Sequence, residues 1–191
     1  MLEAVREIDA LFLAALRRRN RRHLAKMADL GIPARVENMP PMWGAYPGYV
    51  NDAGLWEPAD LQSGEKLRDM VIVPCGWADL DGVFYDGIDD LVAFLLDAPG
   101  RWFLLRGNAT LLGPDQAWDA GFYGRPLRLY SSPLAWLQAG GAGACVVDWR
   151  MTPRLHLADA SELICDTDEL RHRLVTRDRE CQSPWTISVA H

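Results

Sequence analysis

Residues 127–148 read LRLYSSPLAWLQAGGAGACVVD, and residues 163–175 read LICDTDELRHRLV. Apolar residues in Leu127–Ser131 alternate with polar ones, the pattern of a strand. Pro133–Ala139 is a short helical stretch, with proline at a first-turn position and Gly140-Gly141 as its stop. Ala144–Asp148 is a short apolar run, read as a buried strand. Leu163–Asp166 is another, and Glu169–Val175 follows it as a helix. Trp185–Ala190 (WTISVA) closes the chain as a strand. Apolar strands separated by helices imply a parallel sheet with helices on its faces.

The same alternation extends upstream. Met70–Pro74 (MVIVP) predicts a strand and Val83–Tyr85 a second, shorter one. Ile88–Leu96 (IDDLVAFLL) predicts a helix with its acidic pair in the first turn. Trp102–Leu105 predicts a strand, and Pro114 opens a helix through Trp118. The expected fold is therefore α/β: a mostly parallel sheet flanked by helices, spanning residues 69–191. Residues 32–68 differ in character. Five prolines alternate there with Gly44, Gly48 and Gly54 and with Trp43, Tyr46, Tyr49 and Trp56. An irregular, aromatic-rich wrap is expected, because a flexible linker would hold fewer rings. The rings either stack on a base or sugar or pin the segment to the body, which is the commoner use.

Residues 1–31 predict a long amphipathic helix. Val5, Ile8, Phe12, Leu16, Leu24, Met27 and Leu30 recur at helical spacing, and Gly31 with Pro33 forms a stop. The helix is either continuous or broken near Asn20. Arg17, Arg18, Arg21 and Arg22 share one side of it, away from the apolar seam. Residues 1–31 carry seven basic and four acidic side chains, while the whole chain is −6, so the remaining residues are −9. Such segregation points to a polyanion or an acidic partner surface. The plainer alternative is a solvated face whose arginines sit toward a helix C-terminus, where the dipole favours cations.

Composition narrows the function classes. The 191 residues are 49% hydrophobic and 24% charged, which suits a folded domain with a core. No run of eighteen apolar residues predicts a membrane span. The N-terminus lacks the pattern of a secretory signal, and a cytoplasmic location is expected. Cys75, Cys145, Cys165 and Cys181 form no C-x-x-C pair, which argues against zinc-ribbon or thioredoxin chemistry. Phosphate-loop, H-E-x-x-H and G-x-S-x-G motifs are missing. Gly140, Gly141 and Gly143 precede a strand instead of following one, so a diphosphate would find no helix N-terminus there. His23, His156, His172 and His191 are scattered, and nothing nominates a catalytic set around any of them.

Asp166-Thr167-Asp168 is the remaining motif. Two carboxylates at a strand's carboxyl end could share Mg²⁺. A helix cap accounts for the same residues, with Asp166 and Glu169 as a capping box or Thr167 as N-cap.

The order of elements in residues 126–190 resembles a Toprim domain, the module of primases, topoisomerases and related nucleases. PLRLYSSPLAWLQAG occupies the place of that family's first strand and helix, and ELICDTDELRHRL the place of its Asp-x-Asp strand. The resemblance implies metal binding by Asp166 and Asp168. Ser131 and Ser132 stand where the family has its catalytic glutamate, and a hydroxyl cannot replace a carboxylate as acid and base at neutral pH. The resemblance thus implies a degenerate domain kept for binding. Asp148, at the end of the neighbouring strand, could contribute a third carboxylate.

Three functional expectations follow. The first is a non-catalytic or weakly catalytic nucleic-acid-associated module, of phage or mobile-element style, binding through Arg17, Arg18, Arg21 and Arg22. The second is an interaction module, such as a homo-oligomer, docking through the N-terminal helix. The third is a Mg-dependent enzyme acting on phosphodiesters through Asp166 and Asp168.

Overall fold

The computed structural model describes residues 2–32, 42–59, 67–76, 87–150, 157, 159–179 and 186–189. Val83–Tyr85, His156, Cys181 and His191 lie outside the described residues. The chain forms two compact units, Met1–Ala109 and Thr110–His191.

In the first unit the amphipathic N-terminal segment breaks into α1 (Leu2–Arg17) and α2 (Arg21–Asp29). Five strands follow: β1 (Gly44–Val50), β2 (Trp56–Pro58), β3 (Arg68–Cys75), β4 (Asp90–Leu95) and β5 (Ala98–Leu104). They form a curled sheet in the order β2-β1-β3-β4-β5, with every neighbouring pair antiparallel. This overturns the expectation of a mostly parallel sheet.

Two local misreadings account for the difference. The aromatic-rich segment expected to be irregular holds the β1–β2 hairpin, whose turn is built by Asn51. Its Oδ1 accepts from the Leu55 N–H at 3.0 Å, and Gly54 takes φ +76°, a conformation glycine adopts without steric cost. The predicted helix at Ile88–Leu96 is instead β4, the strand between β3 and β5. Leu91, Val92, Ala93 and Phe94 are each fully buried, so both faces of this strand are covered. A short apolar run of that kind has no periodicity to separate strand from helix.

α1 lies on one face of the sheet. Ile8, Phe12 and Ala15 share a core with Trp56, Met70, Ile72, Leu91 and Ala93. The approach is close: a Cβ on Gly44 would stand 2.7 Å from the Ala15 Cβ. Ile8 and Phe12, two residues of the apolar seam expected to dock on another chain, thus pack on the chain's own sheet.

The second unit contains β6 (Leu111–Leu112), α3 (Pro114–Phe122), β7 (Pro126–Tyr130), α4 (Pro133–Gln138), β8 (Ala144–Val146), β9 (Glu162–Cys165), α5 (Asp168–Arg179) and β10 (Thr186–Val189). Its sheet is mixed, in the order β10-β9-β7-β8-β6. The β7–β8, β7–β9 and β9–β10 pairs are parallel, and β6 is antiparallel to β8. Leu127, Leu129, Ala144, Val146, Leu163, Cys165, Leu170 and Leu174 build its core. From β7 the chain crosses through α4 to β8 on one side. From β9 it crosses through α5 to β10 on the other. Adjacent strands whose connections leave in opposite directions open a crevice at their carboxyl ends, where Ser131 and Asp166 stand.

Candidate nucleic-acid interface

The corner between α1 and α2 is set by Asn20. Its backbone is extended, and its side chain accepts from the His23 N–H at 3.0 Å. The Asn20 N–H donates to His23 Nδ1 at 3.3 Å, completing a capping box with histidine in the usual glutamate position. Accepting at Nδ1 places the proton of a neutral ring on Nε2, and that atom lies 3.5 Å from Asp69 Oδ2. His23 is buried, so the corner is anchored to the body.

This break changes the electrostatics of the arginine row. Arg17 is in the last turn of α1, where the dipole favours a cation. Arg21 and Arg22 open α2, and its first turn holds no acidic residue. There the unsatisfied N–H groups and the guanidinium groups have the same sign, a disfavoured arrangement unless an anion is present. Arg17, Arg18, Arg21 and Arg22 are all exposed. Among the described residues none of the four forms an ion pair.

Aromatic rings line the inner side of the row. The Arg18 guanidinium lies 4.7 Å from the Tyr46 ring centre, and that of Arg19 lies 5.4 Å from the Trp43 ring centre. Trp43 and Trp56 are buried and Tyr46 is half-buried, so these three rings pin the segment. Nearby, Lys26 pairs with Asp97. The hydrogen bond from Lys26, then its charge and more weakly that of Arg22, hold the Asp97 carboxyl below its ordinary value. The stacking of Arg18 and Arg19 on Tyr46 and Trp43 was not anticipated from sequence. Its residues are separated by more than twenty positions, and only the fold brings them together.

The predicted carboxylates are arranged differently. Asp166 Oδ2 accepts from the Ser131 backbone N–H at 3.0 Å and from its hydroxyl at 2.9 Å. Asp166 Oδ1 is buried with no hydrogen-bond partner among the described residues. Thr167 Oγ1 accepts from the Leu170 N–H at 3.2 Å and so caps α5. Asp168 is exposed and lies 3.5 Å from Arg171. Asp148 is occupied by Arg150, whose Nε and Nη2 donate to its two oxygens at 3.0 and 2.8 Å. No group of three or more metal-ligating side chains is found among the described residues. Asp166 therefore ties the end of β9 to the end of β7, while Asp148 and Asp168 each face an arginine. Ser132, at the other position of the family glutamate, caps α4 by accepting from the Ala135 N–H at 3.1 Å.

Cys75, Cys145 and Cys165 are buried. Burial, reinforced by the Asp166 charge, pushes the Cys165 thiol up to about 11 and raises that of Cys145 further. Neither is a nucleophile at neutral pH. Among the described residues no helix is long and apolar enough to cross a membrane.

Comparison with family models, curated proteins and solved structures found no match.

Proposed function

We propose that this protein binds nucleic acid through the α1–α2 corner, with Arg17, Arg18, Arg21 and Arg22 contacting phosphates. The observation that carries this reading is the four exposed guanidinium groups, none in an ion pair with a described carboxylate and two of them at a helix N-terminus. A guanidinium presents a planar fork of donors that matches a phosphate's oxygens. A phosphate at the start of α2 would relieve the like-charge crowding and gain the dipole, worth about 0.3–1 kcal/mol at an exposed site. The rest of the chain is net −9 and repels phosphates. Contact is therefore confined to the corner, and affinity depends on salt.

The test is fluorescence anisotropy with labelled single- and double-stranded oligonucleotides across a salt series. The wild type is expected to bind with a steep salt slope. Each lost phosphate contact lowers that slope by about 0.7–0.9, so replacing all four arginines with alanine should flatten it by about 3 and abolish binding at physiological salt. Equal affinity in the two proteins would refute the proposal.

A further inference from the structure

Among the described residues, a cluster of exposed rings lies at the C-terminal end of α3. Trp118, Phe122 and Tyr123 are 55%, 67% and 57% exposed. The Trp118 and Phe122 rings stack at 5.0 Å between centres, and Tyr123 meets Phe122 edge-on at 4.9 Å. The opposite side of the helix, Ala117 and Ala120, belongs to the core of its unit. Exposed ring clusters of this size mark interaction surfaces.

The ends of the ring cluster carry opposite charge. Asp115 lies one turn before Trp118, and Asp119 sits beside it. Burial holds the Asp115 carboxyl above its ordinary value, and its side-chain partner is the neutral amide of Gln116 at 3.2 Å. At the other end Arg125 is fixed in place. Gly124 takes φ +60°, the Arg125 N–H returns to the Ala120 carbonyl at 2.7 Å, and the Gly124 N–H returns to the Gly121 carbonyl at 3.2 Å. This is a Schellman closure. It leaves the Arg125 guanidinium 4.8 Å from the Tyr123 ring centre.

We infer that α3 is the self-complementary face of a homodimer, in which two copies pack their α3 helices antiparallel about a two-fold axis level with Ala120. At a rise of 1.5 Å per residue, Asp115 stands roughly 7.5 Å to one side of that level, and Arg125 follows the C-terminal closure of the helix on the other. An isologous contact then sets Arg125 of each copy against Asp115 of the other, and Trp118 of each against Phe122 of the other. The charge layout selects this occupant. A nucleic-acid strand stacked on the rings would meet Asp115 and Asp119, and an acidic or basic peptide would satisfy one end only. A second copy satisfies both ends and covers the rings.

Sedimentation velocity of the full chain over a concentration series tests this. The wild type is expected to show a monomer–dimer equilibrium. Trp118→Ala with Phe122→Ala, both at exposed positions, is expected to weaken it at least tenfold. Arg125→Asp alone is expected to do the same by opposing two carboxylates, and adding Asp115→Arg to it should restore the dimer. A wild type that stays monomeric at every concentration overturns the proposal. So does a ring variant that dimerises normally, or a charge-swapped chain with unchanged circular dichroism that remains monomeric. If the swapped chain does not fold, the ring variant decides alone. Oligothymidylate binding by a monomeric wild type, lost on Trp118→Ala, would assign the patch to bases instead.

Discussion

Asp90 shows how a single side chain organises the first unit. Its carboxylate is fully buried. Oδ1 accepts from the N–H groups of Leu91 and Arg106 at 2.8 and 3.0 Å, and Oδ2 accepts from those of Asn108 and Ala109 at 2.8 and 3.4 Å. It thereby secures the chain that leaves β5. Asp90→Ala strands four backbone donors, of which the Leu91 and Ala109 N–H groups are buried, each buried one costing about 1–3 kcal/mol. Urea denaturation is expected to show a loss of at least about 3 kcal/mol. In sequence this residue resembles a helix-opening acid, because three of the four amides it serves lie sixteen to nineteen positions away. Asp148 supports a prediction about pH. The Arg150 hydrogen bonds, with smaller help from the Arg150 backbone N–H and charge, hold its carboxyl below the ordinary value against the effect of burial. A depressed folded-state pKa stabilises the fold above the unfolded value of about 3.9, and that stabilisation is lost as pH falls through the folded value. Asp148→Asn is expected to lower stability at neutral pH and to make thermal stability less sensitive to acid below about pH 4.

At the scale of elements, the capped break at Asn20 decides what the arginines can do. A continuous helix would place Arg21 and Arg22 in mid-helix. The cap places them at an N-terminus. Asn20→Ala is expected to cost about 1 kcal/mol, visible as a lower melting temperature by circular dichroism, and to weaken oligonucleotide binding without removing a single basic residue. An unaltered affinity would detach the row's function from the geometry of the corner. The break was legible in sequence as a possibility, since Asn20 interrupts a run of good helix formers. The strand pairing was less so. Helical and extended residues were read correctly where caps and period agreed, as for the helices that open at Pro114 and Pro133 and the strand over Leu127–Tyr130, although the first helix runs on to Phe122, past the expected Trp118. They were misread at β4, where every residue from Asp90 to Phe94 is buried and the period vanishes. They were misread again at β1, where Pro47 and two glycines disguise a strand paired on both sides.

For the whole molecule, charge segregation leads to a counterintuitive expectation. A protein of net charge −6 should still be retained by heparin resin at low salt, because the exposed arginines act as a local cationic surface. The variant lacking Arg17, Arg18, Arg21 and Arg22 should elute at markedly lower salt. Identical elution would mean that the surrounding carboxylates neutralise the corner. The carboxylate constellation suggested by the Toprim resemblance depends on the same tertiary question. Asp166 is engaged by Ser131, and Asp148 by Arg150, so their sequence positions alone could not reveal that each already has an internal task.

The chain by itself determined where most helices and strands lie and where its positive charge is concentrated, because caps, periodicity and charge are local properties. Only the tertiary structure decided which strands pair and in which direction, that Ile8 and Phe12 of the apolar seam are already covered, and that four arginines stay exposed while the aspartates are engaged. Those outcomes depend on contacts between residues far apart in sequence, and local pattern contains no record of them.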